Sequence, residues 1–139
     1  MRAFFDTSSL IKLYHAEVGS AELRAQLSTS TQVIVTQLTW VESTSSFGRV
    51  ARRGALTNEQ AATALALLRH DWRLFEVVDI TAAHYAAAAV LVERHQPLAL
   101  RSLDAIQLAA ALAAGPLDAF FTHDERLRQA ARAEGLPVR

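Results

Sequence analysis

Four short runs rich in aromatic or β-branched residues, Ala3–Phe5, Gln32–Thr36, Phe75–Val78 and Ala119–Thr122, are each followed by longer stretches with apolar residues at helical spacing. This alternation constrains the fold more than any other feature. Strands separated by helices cannot pair as hairpins; they pair through crossovers, which yield a parallel sheet with helices on both faces. The expected class is α/β, a three-layer α/β/α sandwich around a mainly parallel sheet of four strands, with the stub of a fifth at Pro137–Arg139.

Punctuation supports the helices. The segment Ser8–His15 carries Leu10, Ile11 and Tyr14 on one face, and Gly19-Ser20 opens a second stretch through Leu23 and Leu27. Gly54 stands where a left-handed residue closes the helix Leu38–Arg53, and Thr57 and Gln60 have capping-box spacing for a helix running toward His70. A further helix is expected over Thr81–Glu93. Ser102 is read as the cap of Leu103–Ala114, Gly115-Pro116 as its stop, and Asp124 as the start of a last helix reaching Glu134.

At 139 residues the chain has the length of one domain, expected to span residues 1–139. Apolar residues make up 51% and charged residues 20%, a balance that argues against disorder. Lys plus Arg and Asp plus Glu number 14 each, so no bulk positive charge advertises a polyanion. A nucleic-acid partner would have to be met by a local patch or a bound cation. No cysteine is present, which removes disulfides and thiolate metal ligands and fits a reducing compartment. Asp6 interrupts the first apolar run, no signal-peptide pattern follows, and no run approaches the roughly 20 apolar residues of a membrane span. The expected location is the cytoplasm.

In open parallel sheets ligands collect beyond the carboxyl ends of the strands. Asp6 follows Phe4-Phe5 directly, and Asp124 follows Phe120-Phe121 after Thr122-His123. Two more acids interrupt stretches that otherwise read as buried: Glu42 in "LTWVES" and Asp104 in "LRSLDAIQLAAAL", where only Asp104 and Gln107 are polar between Leu103 and Ala114. A carboxylate inside an apolar helix is strongly penalised unless protonated, paired or metal-bound. Each acid also has a plain structural reading: Asp6 and Asp124 serve as N-caps, Asp104 complements a helix dipole, and Glu42 sits on an amphipathic face.

Joint occurrence favours a site. Clustered carboxylates repel unless something positive lies among them, and the chain offers few cations for that task. Arg2 starts the first strand, Arg101 precedes Asp104, and Lys12, the only lysine, has no obvious acidic partner. Carboxylate oxygens without thiolates or paired histidines suit Mg²⁺ or Mn²⁺ better than zinc. The histidines at 15, 70, 84, 95 and 123 show no ligand spacing, and His123 reads as a surface turn residue.

"FFDTSSLIKLY", "TWVES", "LRSLDAIQLAAAL" and "FFTHDERLRQAA", in this order, closely resemble the PIN-domain ribonucleases, and among them the VapC toxins of type II toxin-antitoxin modules. The likeness spans nearly the whole chain. It implies hydrolysis of RNA phosphodiester bonds at a Mg²⁺ or Mn²⁺ site, a homodimer, and a small antitoxin that inserts a segment into the active-site groove. Carried over by position, Asp6, Glu42, Asp104 and Asp124 are the four catalytic acids, with Asp6, Asp104 and Asp124 as metal ligands. Ser8 and Thr122 match supporting hydroxyl residues, which serve equally as turn or cap residues.

Such a site acts by charge and position: the cation acidifies a water and offsets charge on the phosphate. Arg49, Arg52 and Arg53, or Arg126 and Arg128, are candidates to grip flanking phosphates or are solvated helix faces. Trp40 stacks a base or packs in the core. A phospho-acceptor receiver domain is disfavoured, because it expects paired acids at the first strand and a lysine late in the sheet. The alternative function is a non-catalytic PIN-like scaffold that binds RNA or protein.

Overall fold

The computed structural model describes residues 1–139. Four strands, β1 (Arg2–Phe5), β2 (Gln32–Thr36), β3 (Glu76–Val78) and β4 (Ala119–Phe121), form one sheet in the order β3-β2-β1-β4, with every pair parallel. The helices are α1 (Thr7–Leu10), α2 (Ser20–Ala25), α3 (Gln37–Arg52), α4 (Asn58–Asp71), α5 (Ala82–Arg94), α6 (Ser102–Ala113) and α7 (Glu125–Ala133). None is long and apolar enough to cross a membrane.

Strand alternation divides the core in two. Ala3, Phe5, Val35, Ala119 and Phe121 face the layer containing α1, α2, α3 and α4, whereas Phe4, Ile34 and Phe120 face α5, α6 and α7. The expected three-layer sandwich is therefore what forms. Across the β1–β4 pair, Phe4 stacks on Phe120 with ring centroids 5.7 Å apart and Phe5 on Phe121 at 4.7 Å, one pair on each face. Burying each such ring contributes roughly 1.5–3 kcal/mol, so these pairs anchor the two strands whose ends carry Asp6 and Asp124. In α6 the buried Ala105, Ala109, Ala110 and Ala111 let the helix lie close against its neighbours.

Most sequence signals are realised. Gly54 has φ +76° after α3 and Gly115 φ +81° after α6, conformations that cost glycine least. The capping box of α4 forms, with Gln60 N donating to Thr57 Oγ1 at 3.1 Å and Thr57 N to Gln60 Oε1 at 2.8 Å. Four expectations are corrected. Ser102 does not cap α6: it already lies in the helix, and Arg101 takes the N-cap position in extended geometry. The helix expected over Ser8–His15 gives way after Leu10 to a 3₁₀ turn, Ile11–Leu13. The fifth strand is a single parallel bridge, Val138 to Phe120. Lys12 has an acidic partner after all, Glu17, at 2.9 Å.

Candidate active site

Asp6 follows β1 directly and caps α1, as its plain structural reading expects, and it also lines the cavity shared by the other three acids. Its side chain is 4% exposed and accepts bonds from Ser8 Oγ (2.8 Å to Oδ1), Ser9 N (3.0 Å) and Thr122 Oγ1 (2.9 Å). Burial outweighs those donors, and the nearby Asp104 adds repulsion; the carboxyl is pushed up to about 7. Ser8 and Thr122 do more than brace Asp6. Ser8 Oγ accepts the His123 amide at 2.8 Å and Thr122 Oγ1 accepts the Asp124 amide at 3.1 Å, so both hydroxyls tie the end of β1 to the turn after β4.

Asp124 likewise fills two positions. Its Oδ1 accepts the amides of Arg126 and Leu127, capping α7, while Oδ2 accepts Arg101 Nη2 at 2.8 Å. Asp104, in the first turn of α6, receives Arg101 Nε at 2.8 Å on Oδ2. Burial raises the Asp104 carboxyl above its ordinary range despite that arginine, and Asp124 contributes in the same direction. Arg101 is held more firmly protonated, first by its hydrogen bond to Asp104 and then by the acids around it. One guanidinium thus joins two carboxylates.

Glu42 enters from α3, on the opposite wall. Its Oε1 accepts Thr7 Oγ1 at 2.9 Å and Gln107 Nε2 at 3.0 Å. Gln107, 2% exposed, also donates to Thr39 Oγ1 at 2.9 Å and accepts Thr36 Oγ1 at 2.9 Å. In the sequence Gln107 stands out only as a polar interruption of α6, and Thr7 carries no signal of a role. The partners of Gln107 come from β2, α3 and α1, so no local pattern reveals them.

All four acids line one cavity of about 750 Å³ at the carboxyl edge of the sheet, with Arg49 and Arg101 also on its wall. Of the other expected cations, Arg2 pairs with Glu76 at 3.1 Å, at the far end of β1 from Asp6. Arg126 and Arg128 spend donors on the carbonyls of Ala99 and Thr122. His123 is exposed as expected but not free, since its Nδ1 lies 2.8 Å from Ser9 Oγ.

No three His, Cys, Asp or Glu side chains are gathered closely enough to form a ready-made metal site. The donor chemistry nevertheless fits a hard divalent ion. The cavity supplies carboxylate and hydroxyl oxygens without a thiolate, and a cation, the Arg101 guanidinium, already lies between Asp104 and Asp124. A metal ligated by those acids requires Arg101 to give way.

Known proteins resemble this chain over nearly its whole length. The PIN domain model matches residues 3–133. Ribonuclease VapC35 of Mycobacterium tuberculosis is 37% identical over 141 residues, covering 97% of this chain and 93% of the relative. The crystal structure of M. tuberculosis VapC20, described as a sarcin-ricin loop cleaving toxin, superposes with a TM-score of 0.69 at 20% identity over 96% of this chain and 95% of that one. A toxin-antitoxin complex from Klebsiella pneumoniae gives 0.60 at 19% identity over 88% and 86%. A family model that begins inside β1 and ends with α7 takes in every strand and every acid described above, and on that basis the chain belongs to the PIN domain family.

Proposed function

We propose that residues 1–139 form one VapC-type endoribonuclease unit that hydrolyses RNA phosphodiester bonds with Mg²⁺ or Mn²⁺ held by Asp6, Asp104 and Asp124. The observation that carries this reading is that Asp6, buried at the end of β1, shares one cavity with Glu42, Asp104 and Asp124. A carboxyl so placed destabilises the metal-free fold and has a use once a cation replaces its proton. The relative named Ribonuclease VapC35 supports the activity.

Bound there, a divalent cation supplies charge neutralisation at the scissile phosphate and acidifies a water. The remaining work belongs to the chain. Ser8, Ser9 and Thr122 fix the Asp6 carboxylate, and Glu42, held by Thr7 and Gln107, orients the attacking water. Arg101, released from Asp104 and Asp124, is within reach of a phosphate in the cleft, and Arg49, on the α3 wall opposite, offers a second cation. An antitoxin seated over the cleft, a homodimer and a cytoplasmic location belong to the same reading. The fold's likeness to the Klebsiella toxin-antitoxin complex supports the first of these.

Asp6→Asn and Asp104→Asn are each expected to lower RNA cleavage by at least about a hundredfold while keeping the circular-dichroism spectrum. The wild-type chain is expected to lose cleavage in chelator and regain it with Mg²⁺ or Mn²⁺. Metal binding without turnover on any RNA of a structured panel would leave the scaffold reading in its place.

A further inference from the structure

A second cavity, of about 630 Å³, lies on the other side of α3 and has no part in the site above. Trp40, Ala66, Arg69, His70, Trp72 and Arg73 line it. The two indoles meet edge to face, 5.2 Å between centroids, and the Arg69 guanidinium sits 5.8 Å from the centre of the Trp40 ring. Arg73 Nη2 lies 3.1 Å from His70 Nδ1. No acid lines the cavity, and neither Arg69 nor Arg73 has a carboxylate partner. The nearest acid in sequence, Asp71, is engaged by the Tyr14 hydroxyl at 2.9 Å. A concavity that combines aromatic surface with unpaired guanidinium groups suits a ligand that is both flat and anionic.

Helix α3 relates this cavity to the catalytic cleft. Leu38, Glu42 and Arg49 face the cleft, Thr39, Ser43 and Phe47 are buried toward the core, and Trp40 lies on the opposite flank from Glu42. Between the cleft, whose lining includes the exposed Val41 and Ser45, and Trp40 runs a solvent-exposed ridge at Thr44, small and uncharged. The distance across it is about one helix diameter, roughly 10 Å. A strand held in the cleft therefore reaches the tryptophans by crossing that ridge.

We propose that the Trp40–Trp72 cavity is a subsite for a single-stranded nucleotide of the RNA substrate, one that flanks the cleaved bond. The base packs on the indole surface and the phosphates meet Arg69 and Arg73. This rests on the ribonuclease reading for the identity of the polymer. An acidic peptide is the other ligand such chemistry admits, but it must bring its flat group and its charge on separate residues, whereas each nucleotide carries both. The neutral net charge is consistent with this division, because the positive groups lie in two local patches, Arg69 and Arg73 beside the aromatic rings and Arg49 and Arg101 in the cleft.

Trp40 and Trp72 are the chain's only two tryptophans, so intrinsic tryptophan fluorescence reads this cavity without background. The wild-type chain in chelator is titrated with an unstructured oligouridylate, and saturable quenching or a shift of emission is expected. In Arg69→Gln/Arg73→Gln, which keeps both indoles and alters only exposed side chains, the dissociation constant is expected to rise about tenfold. Its salt dependence should flatten by up to about 1.4, two phosphates at about 0.7 each. Anisotropy of a labelled oligonucleotide run in parallel shows whether RNA binds at all. Binding without any change in tryptophan emission overturns the subsite. So does a response to polyglutamate and none to RNA, which would assign the surface to an acidic peptide. The cleavage assay is scored separately: a chain that cleaves RNA but never quenches refutes the subsite alone. One that quenches but never cleaves keeps a nucleotide site and refutes the ribonuclease.

Discussion

A carboxylate that accepts several hydrogen bonds is normally held in its charged form, yet Asp6 accepts from Ser8, Ser9 and Thr122 and still binds its proton to about pH 7. Desolvation at the strand end wins. Because the folded state keeps this proton between the ordinary value of 3.8 and about 7 while the unfolded chain has released it, metal-free stability falls across that window and levels off above it. The full effect is on the order of 4 kcal/mol. Urea denaturation in chelator at several pH values should show Asp6→Asn gaining on the wild type as pH rises from 4 toward 8. A constant gap would remove the basis for that account. Gln107 is tested by a cycle. If it acts through Glu42, Gln107→Leu lowers kcat several-fold in the wild-type background and has little further effect in Glu42→Gln; a merely structural role costs the same in both. Asp6, Ser8, Thr122 and Asp124 were legible in the sequence because each lies within two or three residues of a strand end. Gln107 was not, since its meaning depends on Thr36, Thr39 and Glu42, more than sixty residues away.

Helix boundaries were readable where side chain and backbone agree, as at Thr57, whose hydroxyl accepts the Gln60 amide. They were not where cap geometry is set by the chain's path: the extended backbone at Arg101 makes it the N-cap and leaves Ser102 inside the helix. That displacement has a use, because it aims the Arg101 side chain back at Asp104, three residues on. At the far end of the helical layer, α5 and α7 are joined by Glu134, which meets Arg94 Nη1 at 2.8 Å and His95 Nε2 at 2.8 Å. Burial works against the Glu134 carboxylate, but the bonds from Arg94 and His95 outweigh it and hold its pKa below the ordinary 4.5. A carboxyl shifted in that direction stabilises the fold above its unfolded value and loses the contribution as pH falls through the folded one. Glu134→Gln is therefore expected to lower the thermal midpoint at pH 7 and to converge on the wild type as pH falls below the ordinary 4.5 and through the lowered folded value. A deficit that persists unchanged in acid would assign the contact to packing rather than charge.

Across the whole molecule, periodicity identified the strands but not their neighbours. Nothing local in the chain says that β1 lies between β2 and β4, and this order is what brings Asp6 beside Thr122 and Asp124. The Trp40–Trp72 cavity was hidden for the same reason: it exists only because α3 packs beside α4 and the turn that follows it. The pairing of β1 with β4 joins segments 116 residues apart, as the Thr122–Asp6 bond records. During synthesis on a ribosome, the first strand emerges early and waits for the last, and no cleft exists until Thr122 and Asp124 have left the exit tunnel. A growing polypeptide of this kind passes most of its birth catalytically silent, beside the RNA-rich machine that makes it. Stalled chains ending at Pro116 should be degraded readily by protease and leave RNA uncut, whereas the released full-length chain resists one and cuts the other.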